Sequence, residues 1–388
     1  MESYVLYDLK VTTLTPLHIG SGVELLNEYD FAIHDGKTWR LNDTAILKDH
    51  MPEDDPEIAS RLALTPPGRM LEDKDFENKD FFHYVLNGEP RSEQEAARLR
   101  EQIKSINYEP FIPGSSFKGA LRTAIAWHGW DEMGMVASEE DVYEESRKRE
   151  KKAKSPKFVG QVYERPLFGE DPNHRGKDAN HDLLRSLQVT DSKAFSINDL
   201  AVLNTQIFMH DGIAGTPIEV EAILPQSKFN LRVKIDLALF SDWARKQGLH
   251  LLNSHWVTDF AQIATEHAKA RARGEMEWLQ GVPGTKKIYS FYEKEILNRS
   301  LEKGQFLLQF GWGTGWENTT FGSRLQANDD FMETIIREYK LSMNKEREAG
   351  DLFPESRHFA VKVISDESIS LTHPFGWVLV NMTKVEHG

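Results

Sequence analysis

The chain has 388 residues, of which 39% are hydrophobic, so it can bury a sizeable core and predicts about two or three domains. It contains no cysteine, which excludes disulfides, thiolate metal sites and cysteine nucleophiles and suits a cytoplasmic protein. Its formal charge of −14 argues against a protein coated on all sides by nucleic acid, although a local cationic groove remains possible. No stretch approaches the ~18 apolar residues of a membrane span, and the start lacks a secretory leader.

The first forty residues predict strands and turns. "YVLYDLKVTTLTPLHIG" alternates as a strand does and then meets Pro16 and the turn-forming Gly20–Gly22. "EYDFAIHDGKTWRLND" consists of two alternating runs joined by Asp35-Gly36, which predicts a β-hairpin. Residues 43–110 are polar and read as an insertion of loop and helix, with the helix at Ser92–Ile103.

A helix follows in "EPFIPGSSFKGALRTAIAWHGW", with Ser115 as its predicted N-cap. One face is apolar, and Ser115, Lys118 and Arg122 share a stripe beside that face. Free amide groups, the helix dipole and two cations favour a bound anion, and we interpret that anion as a phosphate. The alternative is an ordinary capped helix with two solvated cations. The apolar positions are Phe117, Leu121, Ala124 and Ile125.

The middle of the chain carries a basic run, a polar loop and further strands. Arg147–Lys157 is either a surface that steers RNA or a solvated face. The loop at 171–182 is either a metal site or, in our preferred interpretation, a polar loop. "LLRSLQVTDSKAF" and "TPIEVEAILPQSKFNLRVKID" predict strands, the latter a hairpin around Pro225–Ser227, and Leu239–Arg299 predicts helices. The possible metal ligands are Asp171, His174, Asp178, His181 and Asp182.

Near the end, "FLLQFGWGTGWENTTFG" predicts a strand entering a glycine loop, before a last group of strands. The loop has neither the Walker pattern nor G-x-G-x-x-G, so a nucleotide cofactor is not indicated. Its glycines and its tryptophans, Trp312 and Trp316, suit backbone contact to a polyanion with bases stacked on indole rings. A tight turn held by tryptophan packing is the alternative. Strands, then helices, then strands predict an α+β fold with mainly antiparallel sheets.

"TPLHIGSG" places His18 at a strand end before three residues that allow close approach of a ligand. His18 and Ser21 are candidates for phosphate contacts, and His18 is also a candidate for a general base. The alternative is a purely structural turn with a partly buried histidine. Asp35 is explained by the hairpin, and Asp30 has no evident partner. No Ser-His-Asp set or paired carboxylates can be identified from spacing.

Four segments in this order resemble the repeat-associated mysterious proteins (RAMPs) of type III CRISPR systems: "TPLHIGSG", "PFIPGSSFKGALRTAI", "GWGTGWENTTFG" and "LFPESRHFA…PFGWVLV". Within that family the arrangement is most similar to the single-copy subunit that caps the guide RNA 3′ end in the type III-A (Csm) complex. The resemblance implies two RRM-like, ferredoxin-like βαββαβ domains. We expect the first at residues 1–240, with insertions near 43–110 and 131–180. We expect the second, a degenerate RRM-like domain, at 241–388, with a helical segment and the glycine-rich loop.

The same resemblance implies a non-catalytic subunit without a cofactor or metal. Its implied partners are the guide RNA (crRNA), neighbouring backbone and small subunits, target RNA through the complex, and host nucleases that trim the crRNA. Alternatives are a metal-independent endoribonuclease of repeat RNA with His18 as base, another type III RAMP backbone subunit, and a small-molecule enzyme. The residues implied in RNA binding are His18, Gly20, Ser21, Gly22, Gly114, Ser115, Ser116, Lys118, Arg122, Gly311, Gly313 and Gly315.

Overall fold

A computed structural model describes residues 3–50, 64–140, 160–169, 181–211, 214–320, 322–342, 347–365 and 368–386. The basic run Arg147–Lys157 and three of the possible metal ligands, Asp171, His174 and Asp178, lie outside these ranges. The predicted α+β class, with two sheets rich in antiparallel pairs, is confirmed.

The strands are β1 Tyr4–Thr13, β2 Gly20–Leu26, β3 Phe31–His34, β4 Lys37–Leu41, β5 Phe82–Asn87, β6 Arg98–Gln102, β7 Leu187–Val189, β8 Leu200–Met209, β9 Ala214–Ile223, β10 Lys228–Asp236, β11 Gln305–Gln309, β12 Ser356–Ser365, β13 Ser368–His373 and β14 Trp377–Lys384. The α-helices are α1 Asp43–His50, α2 Gly114–Glu132, α3 Gln161–Phe168, α4 Asp242–Lys246, α5 Ser254–Thr258, α6 Phe260–Trp278, α7 Lys286–Phe291, α8 Trp316–Thr319, α9 Gly322–Leu325 and α10 Asp329–Tyr339. A π-helical segment, Tyr292–Leu297, continues α7, and short 3₁₀ turns occupy several connections.

The first sheet has five strands in the order β11-β14-β1-β10-β7, and all its pairs are antiparallel. Because side chains alternate along a strand, Leu9 and Val11 of β1 point to one face and are fully buried there. Helices α2 and α6 pack on that face through rings such as Phe117 and Phe260. Two helices on one face of an antiparallel sheet are the ferredoxin-like arrangement that the resemblance implied.

The second sheet has nine strands and follows the path β2-β6-β9-β8-β5-β4-β3, with β12 joined to β8 and β13 joined to β12. Its pairs are antiparallel except for β5 with β8 and β6 with β9. Residues Leu14–Ile19 connect β1 of the first sheet to β2 of the second, and Leu17 forms a bridge to Ile223 on the way. The chain therefore passes directly from one sheet to the other at this point.

The hairpin at Asp35-Gly36 is confirmed. Strands β3 and β4 pair up to His34 and Lys37, and both turn residues have positive φ, 54° for Asp35 and 67° for Gly36. Asp30 has a local structural role, since its Oδ2 accepts the amide of Leu26 at 2.8 Å.

Two predictions about the strands are wrong. The predicted helix at Ser92–Ile103 contains β6 instead, where Leu99 is fully buried between β2 and β9, so tertiary pairing overrides local helix preference. The predicted hairpin around Pro225–Ser227 does not form, because β9 belongs to the second sheet and β10 to the first.

The division into domains at residue 240 stays a prediction. Each sheet contains strands from both sides of that residue: β14 lies between β1 and β11 in the first sheet, and β12 pairs with β8 in the second. The two halves of the chain are therefore interleaved through backbone hydrogen bonds.

Candidate nucleic-acid interface

The glycine-rich loop packs directly against the segment that carries His18. The amide of Trp312 donates to the carbonyl of His18 at 2.8 Å, and the amide of Gly376 donates to the carbonyl of Pro16 at 2.8 Å. Gly311 has a φ of 94°, and a Cβ added to it would lie 2.7 Å from the His18 carbonyl oxygen. Glycine is therefore required there for close approach of two backbones. We call the two segments, Pro16–Gly22 and Gly311–Gly315, the loop junction.

His18 is enclosed by the loop junction, with only 1% of its surface exposed. Its Nδ1 lies 2.6 Å from the carbonyl oxygen of Glu221, to which Nδ1–H donates, and its ring meets that of Trp312 edge-on at 5.8 Å. Burial lowers its pKa to about 4, and the nearby charge of Arg100 acts in the same direction. The ring is thus neutral near pH 7 and is not placed to reach a bound RNA as a general base.

A buried polar network supports the floor of the loop junction. The carboxylate of Glu221 accepts the hydroxyl of Tyr84 at 2.7 Å, the amide of Gln102 at 2.9 Å, and the ammonium of Lys104. Burial and the Glu221 carboxylate raise the pKa of Tyr84, so its hydroxyl stays protonated and donates. These contacts join β5, β6 and β9 under His18, and they commit Lys104 to the protein.

Both tryptophans of the glycine loop are engaged by protein side chains. Trp312 meets the rings of His358 and Phe375 at 4.8 and 5.4 Å, and Trp316 meets Phe353 at 5.1 Å. The guanidinium carbon of Arg100 lies 5.3 Å from the centre of the Trp312 ring. These rings therefore pack within the protein, as the alternative interpretation of the loop proposed.

The Gly20–Gly22 segment bulges from the edge of the second sheet. β2 pairs with β6 at Gly20 and again at Glu24, but the register shifts between them. Gly22 has a φ of 91°, which favours glycine, and the whole segment is exposed. Ser21 Oγ donates to Glu101 at 2.8 Å. The bulge therefore presents backbone to solvent beside β6.

The start of α2 is capped from a distant segment. Ser115 is not the N-cap as predicted: the helix begins at Gly114, and the amide of Gly114 donates to Asp191 Oδ1 at 2.7 Å. The carbonyl of Pro113 accepts the amide of Ser116 at 3.0 Å. A Cβ on Gly114 would lie 2.5 Å from the Val189 carbonyl oxygen, so this glycine allows β7 to approach. Ser115 is exposed.

The two cations of α2 differ in their surroundings. Arg122 donates to Asp182 at 2.9 Å, approaches Glu164 at 3.6 Å and lies over the ring of Phe168. Lys118 is half-buried and, within the part of the chain that the structure describes, forms no ion pair. Burial lowers the pKa of Lys118, Asp182 opposes that shift, and Arg122 adds to it. Lys118 is therefore the more available of the two.

A buried charge network anchors the far side of the glycine loop. Glu317, in the helix that follows Gly315, accepts Arg271 at 2.5 Å and Arg357 at 2.9 Å. Glu275 accepts the same two guanidinium groups at distances between 2.8 and 3.1 Å. The loop is thereby tied to α6 and to β12 by two carboxylates and two guanidinium groups that are all buried.

The structure brings the predicted segments together. The loop junction unites His18 and Gly20–Gly22 with Gly311–Gly315, and the ring of Phe117 in α2 packs on that of Phe310, directly before the glycine loop, at 5.6 Å. Whether these residues contact RNA stays a prediction. Sequence reasoning missed Arg100, which lies within the segment mistaken for a helix and has no local motif around it.

Across the described ranges, no group of three or more histidine and carboxylate side chains is placed to hold a metal ion. Of the helices in those ranges, none is long and apolar enough to cross a bilayer.

Comparisons with known proteins agree with this architecture. A sequence profile of the RAMP superfamily matches residues 10–318. The CRISPR system Cms protein Csm5 of two Mycobacterium tuberculosis strains is 25% identical over 183 residues, and the match spans 44% of this chain and 44% of those relatives.

A chain in the cryo-EM structure of a Csm–crRNA–target RNA ternary complex of a type III-A CRISPR–Cas system is 25% identical, with a TM-score of 0.71 over 96% of this chain and 100% of that one. The crystal structure of T. onnurineus Csm5 is 22% identical, with a TM-score of 0.62 over 95% of this chain and 99% of that one. The predicted resemblance to a RAMP subunit of the Csm complex is confirmed.

Proposed function

Because the chain belongs to the RAMP superfamily, we propose that it is a non-catalytic crRNA-binding subunit of a type III-A CRISPR effector complex. In this role it caps the 3′ end of the guide and supports assembly of the complex and maturation of the crRNA. Its partners are the guide, the adjacent backbone and small subunits, and target RNA through the complex, in the cytoplasm. Recruitment of host nucleases for trimming stays a prediction.

The observation that carries the proposal is the loop junction. Two glycine-rich segments, far apart in sequence, meet through the hydrogen bond from Trp312 to His18, and α2 lies beside them through Phe117 and Phe310. Because glycine has no side chain, the sugar-phosphate backbone of RNA can come close to these segments. The adjacent amide groups and hydroxyls can then donate hydrogen bonds to the phosphates. Such contacts do not depend on base identity, which suits a subunit that serves interchangeable guides.

In this proposal the contacts to RNA come from exposed and half-buried groups. The Gly20–Gly22 bulge with Ser21, the glycine loop, and Ser115, Ser116 and Lys118 at the start of α2 face the guide. His18 and Gly114 support these segments from within, because the first is enclosed and the second is pressed against β7. Arg122 is already paired with Asp182 and contributes less to the RNA.

Capping of the guide can be tested by reconstituting the complex with and without this chain. A 3′→5′ exoribonuclease is then added, and the guide length is read on a sequencing gel. We expect a discrete 3′ boundary with the chain and progressive shortening without it. Equal digestion in both samples would contradict 3′ capping, even if the chain still bound RNA.

The two cations of α2 provide a matched pair for RNA binding. We expect Lys118→Ala to weaken binding of single-stranded RNA and to reduce the slope of log K against log salt by ~0.7, the value for one lost phosphate contact on a single strand. We expect Arg122→Ala to lower the free energy of unfolding by about 1 kcal/mol, because it loses an ion pair and a ring contact, with a smaller effect on the slope. Fluorescence anisotropy over a salt series and urea unfolding measure the two quantities. If Arg122→Ala reduced the salt slope and Lys118→Ala did not, Arg122 would be the cation that contacts the RNA, and this prediction would be wrong.

The non-catalytic role can be tested with repeat-containing RNA in EDTA. We expect the purified chain to leave this RNA intact. Cleavage that disappears in a His18→Ala variant would contradict the proposal and would favour the metal-independent endoribonuclease.

A further inference from the structure

Arg100 donates no side-chain hydrogen bond to any of the residues that the structure describes. It lies on β6, its side chain is 38% exposed, and the nearest carboxylate oxygen, of Glu24, is 3.9 Å away. The other oxygen of Glu24 accepts Arg98 at 2.8 Å, so this carboxylate is already engaged. A separation of 3.9 Å is too long for a hydrogen bond.

Trp312 is placed to hold the Arg100 side chain. The guanidinium carbon lies 5.3 Å from the indole centre, within the range of a cation–π contact. This contact uses the positive charge of the guanidinium group and none of its N–H donors. The indole is itself fixed, because His18, His358 and Phe375 surround it. The ring therefore restrains a cation whose N–H groups donate no hydrogen bond to the described residues.

Arg100 also lies next to the exposed backbone of the loop junction. On β2 its partner is Glu24, and the Gly20–Gly22 bulge ends two residues before Glu24. The glycine loop contributes Trp312 itself. Burial lowers the pKa of His18 and of His358 to about 4, and the positive charge of Arg100 acts on both pKa values in the same direction. Both rings are therefore neutral near pH 7, so neither ring competes with Arg100 for an anion.

We propose that Arg100 binds a phosphate of the RNA through its guanidinium edge, with Trp312 as its positioning residue. The proposal rests on the RNA binding described above and adds a residue and a ligand chemistry to it. A planar guanidinium group can donate two parallel hydrogen bonds to one phosphate, which a lysine ammonium group cannot reproduce. The contact carries no base specificity.

The test uses the full-length chain, a fluorescein-labelled oligouridine and a mixed-sequence single strand, with anisotropy measured from about 50 to about 200 mM salt. Arg100→Ala should weaken the binding of both RNAs about tenfold. It should also reduce the slope of log K against log salt by ~0.7. Arg100→Lys should keep the slope, because the charge remains, but lose part of the affinity. Arg232→Ala is the matched control for net charge, since Arg232 is 52% exposed, paired with Asp8 and located on the first sheet.

Each outcome decides the proposal. Loss of affinity and slope in Arg100→Ala, with Arg232→Ala unchanged, supports it. If wild type binds RNA and Arg100→Ala binds equally well, the phosphate contact is wrong while the proposed function stands. If both Arg100 variants lose affinity with an unchanged slope, the guanidinium group stacks on a base, which overturns the phosphate assignment. If wild type binds neither RNA, both proposals fail. Thermal melting of each variant confirms that it is folded.

Discussion

The start of α2 and the loop junction both combine glycine, serine and a cation, yet the structure uses them differently. At α2, Asp191 caps the first amide and Asp182 pairs with Arg122, so the chain supplies its own anions. Beside the loop junction the main cation, Arg100, rests on an indole ring, and its nearest carboxylate oxygen, of Glu24, is 3.9 Å away. A cation held by a ring keeps its donors for a ligand, whereas a cation held by a carboxylate has already used them.

The same contrast extends to how each region is anchored. The glycine loop depends on a buried network in which the carboxylates of Glu275 and Glu317 pair with the guanidinium groups of Arg271 and Arg357. The first turn of α2 is held by the hydrogen bond from the Gly114 amide to Asp191, which follows β7, and by the buried apolar face of the helix. Substitutions should therefore separate the two regions by the size and pH dependence of their effects.

The largest effect is expected at Glu317. Replacing it with Ala leaves Arg271 and Arg357 to share one carboxylate in a buried site, and we expect the free energy of unfolding to fall by about 3–5 kcal/mol. Urea unfolding measures the change. Glu277→Ala, at an exposed position of α6, is the control with the same charge change and should have little effect. Equal losses in the two variants would show that the buried network stabilises the glycine loop no more than an exposed carboxylate does.

A pH-dependent effect is expected at His18. Its pKa is lowered from 6.5 to about 4 in the folded state, so the unfolded chain binds the proton more readily, and stability falls as pH drops through this range. Replacing His18 with Asn keeps a donor for Glu221 and removes the titrating group. The difference in unfolding free energy between wild type and variant should change by about 1.4 kcal/mol per pH unit. Parallel pH profiles would show that His18 is already exposed to water.

A smaller effect should distinguish two glycines of the same loop. Gly311 and Gly315 both have positive φ, 94° and 88°, but a Cβ on Gly311 would meet the His18 carbonyl, whereas a Cβ on Gly315 would meet no atom within 4 Å. Both Ala variants should lose about 1–2 kcal/mol through backbone strain. Gly311→Ala should lose about 2 kcal/mol more, because the two segments of the loop junction must separate. Equal unfolding midpoints would mean that the contact with His18 is loose.

Local chemistry predicted the elements that depend on neighbouring residues. Asp35-Gly36 encodes its turn through two positive φ angles, and the spacing of Phe117, Leu121, Ala124 and Ile125 encodes the buried face of α2. The strand entering the glycine loop was equally readable. In each of these cases, the interactions that set the structure lie within a few residues.

Long-range pairing explains what the sequence did not predict. The segment around Leu99 has helix-forming residues, but its neighbours in space are β2 and β9. The cap of α2 comes from Asp191, 77 residues beyond Gly114, which hides it from any local motif. Arg100 gains its surroundings from Trp312, more than two hundred residues away. No short sequence pattern carries such information, so the candidate site was incomplete without the fold.

The position of β14 has a consequence for synthesis of the protein. Trp377–Lys384 lies between β1 and β11, so the first sheet lacks one of its inner strands until these residues have left the ribosome. The nascent chain must hold β1 with this edge unpaired until Trp377–Lys384 is translated, and an open edge favours pairing with other chains. A premature stop codon before Trp377 would therefore yield an aggregation-prone product rather than a shortened working subunit.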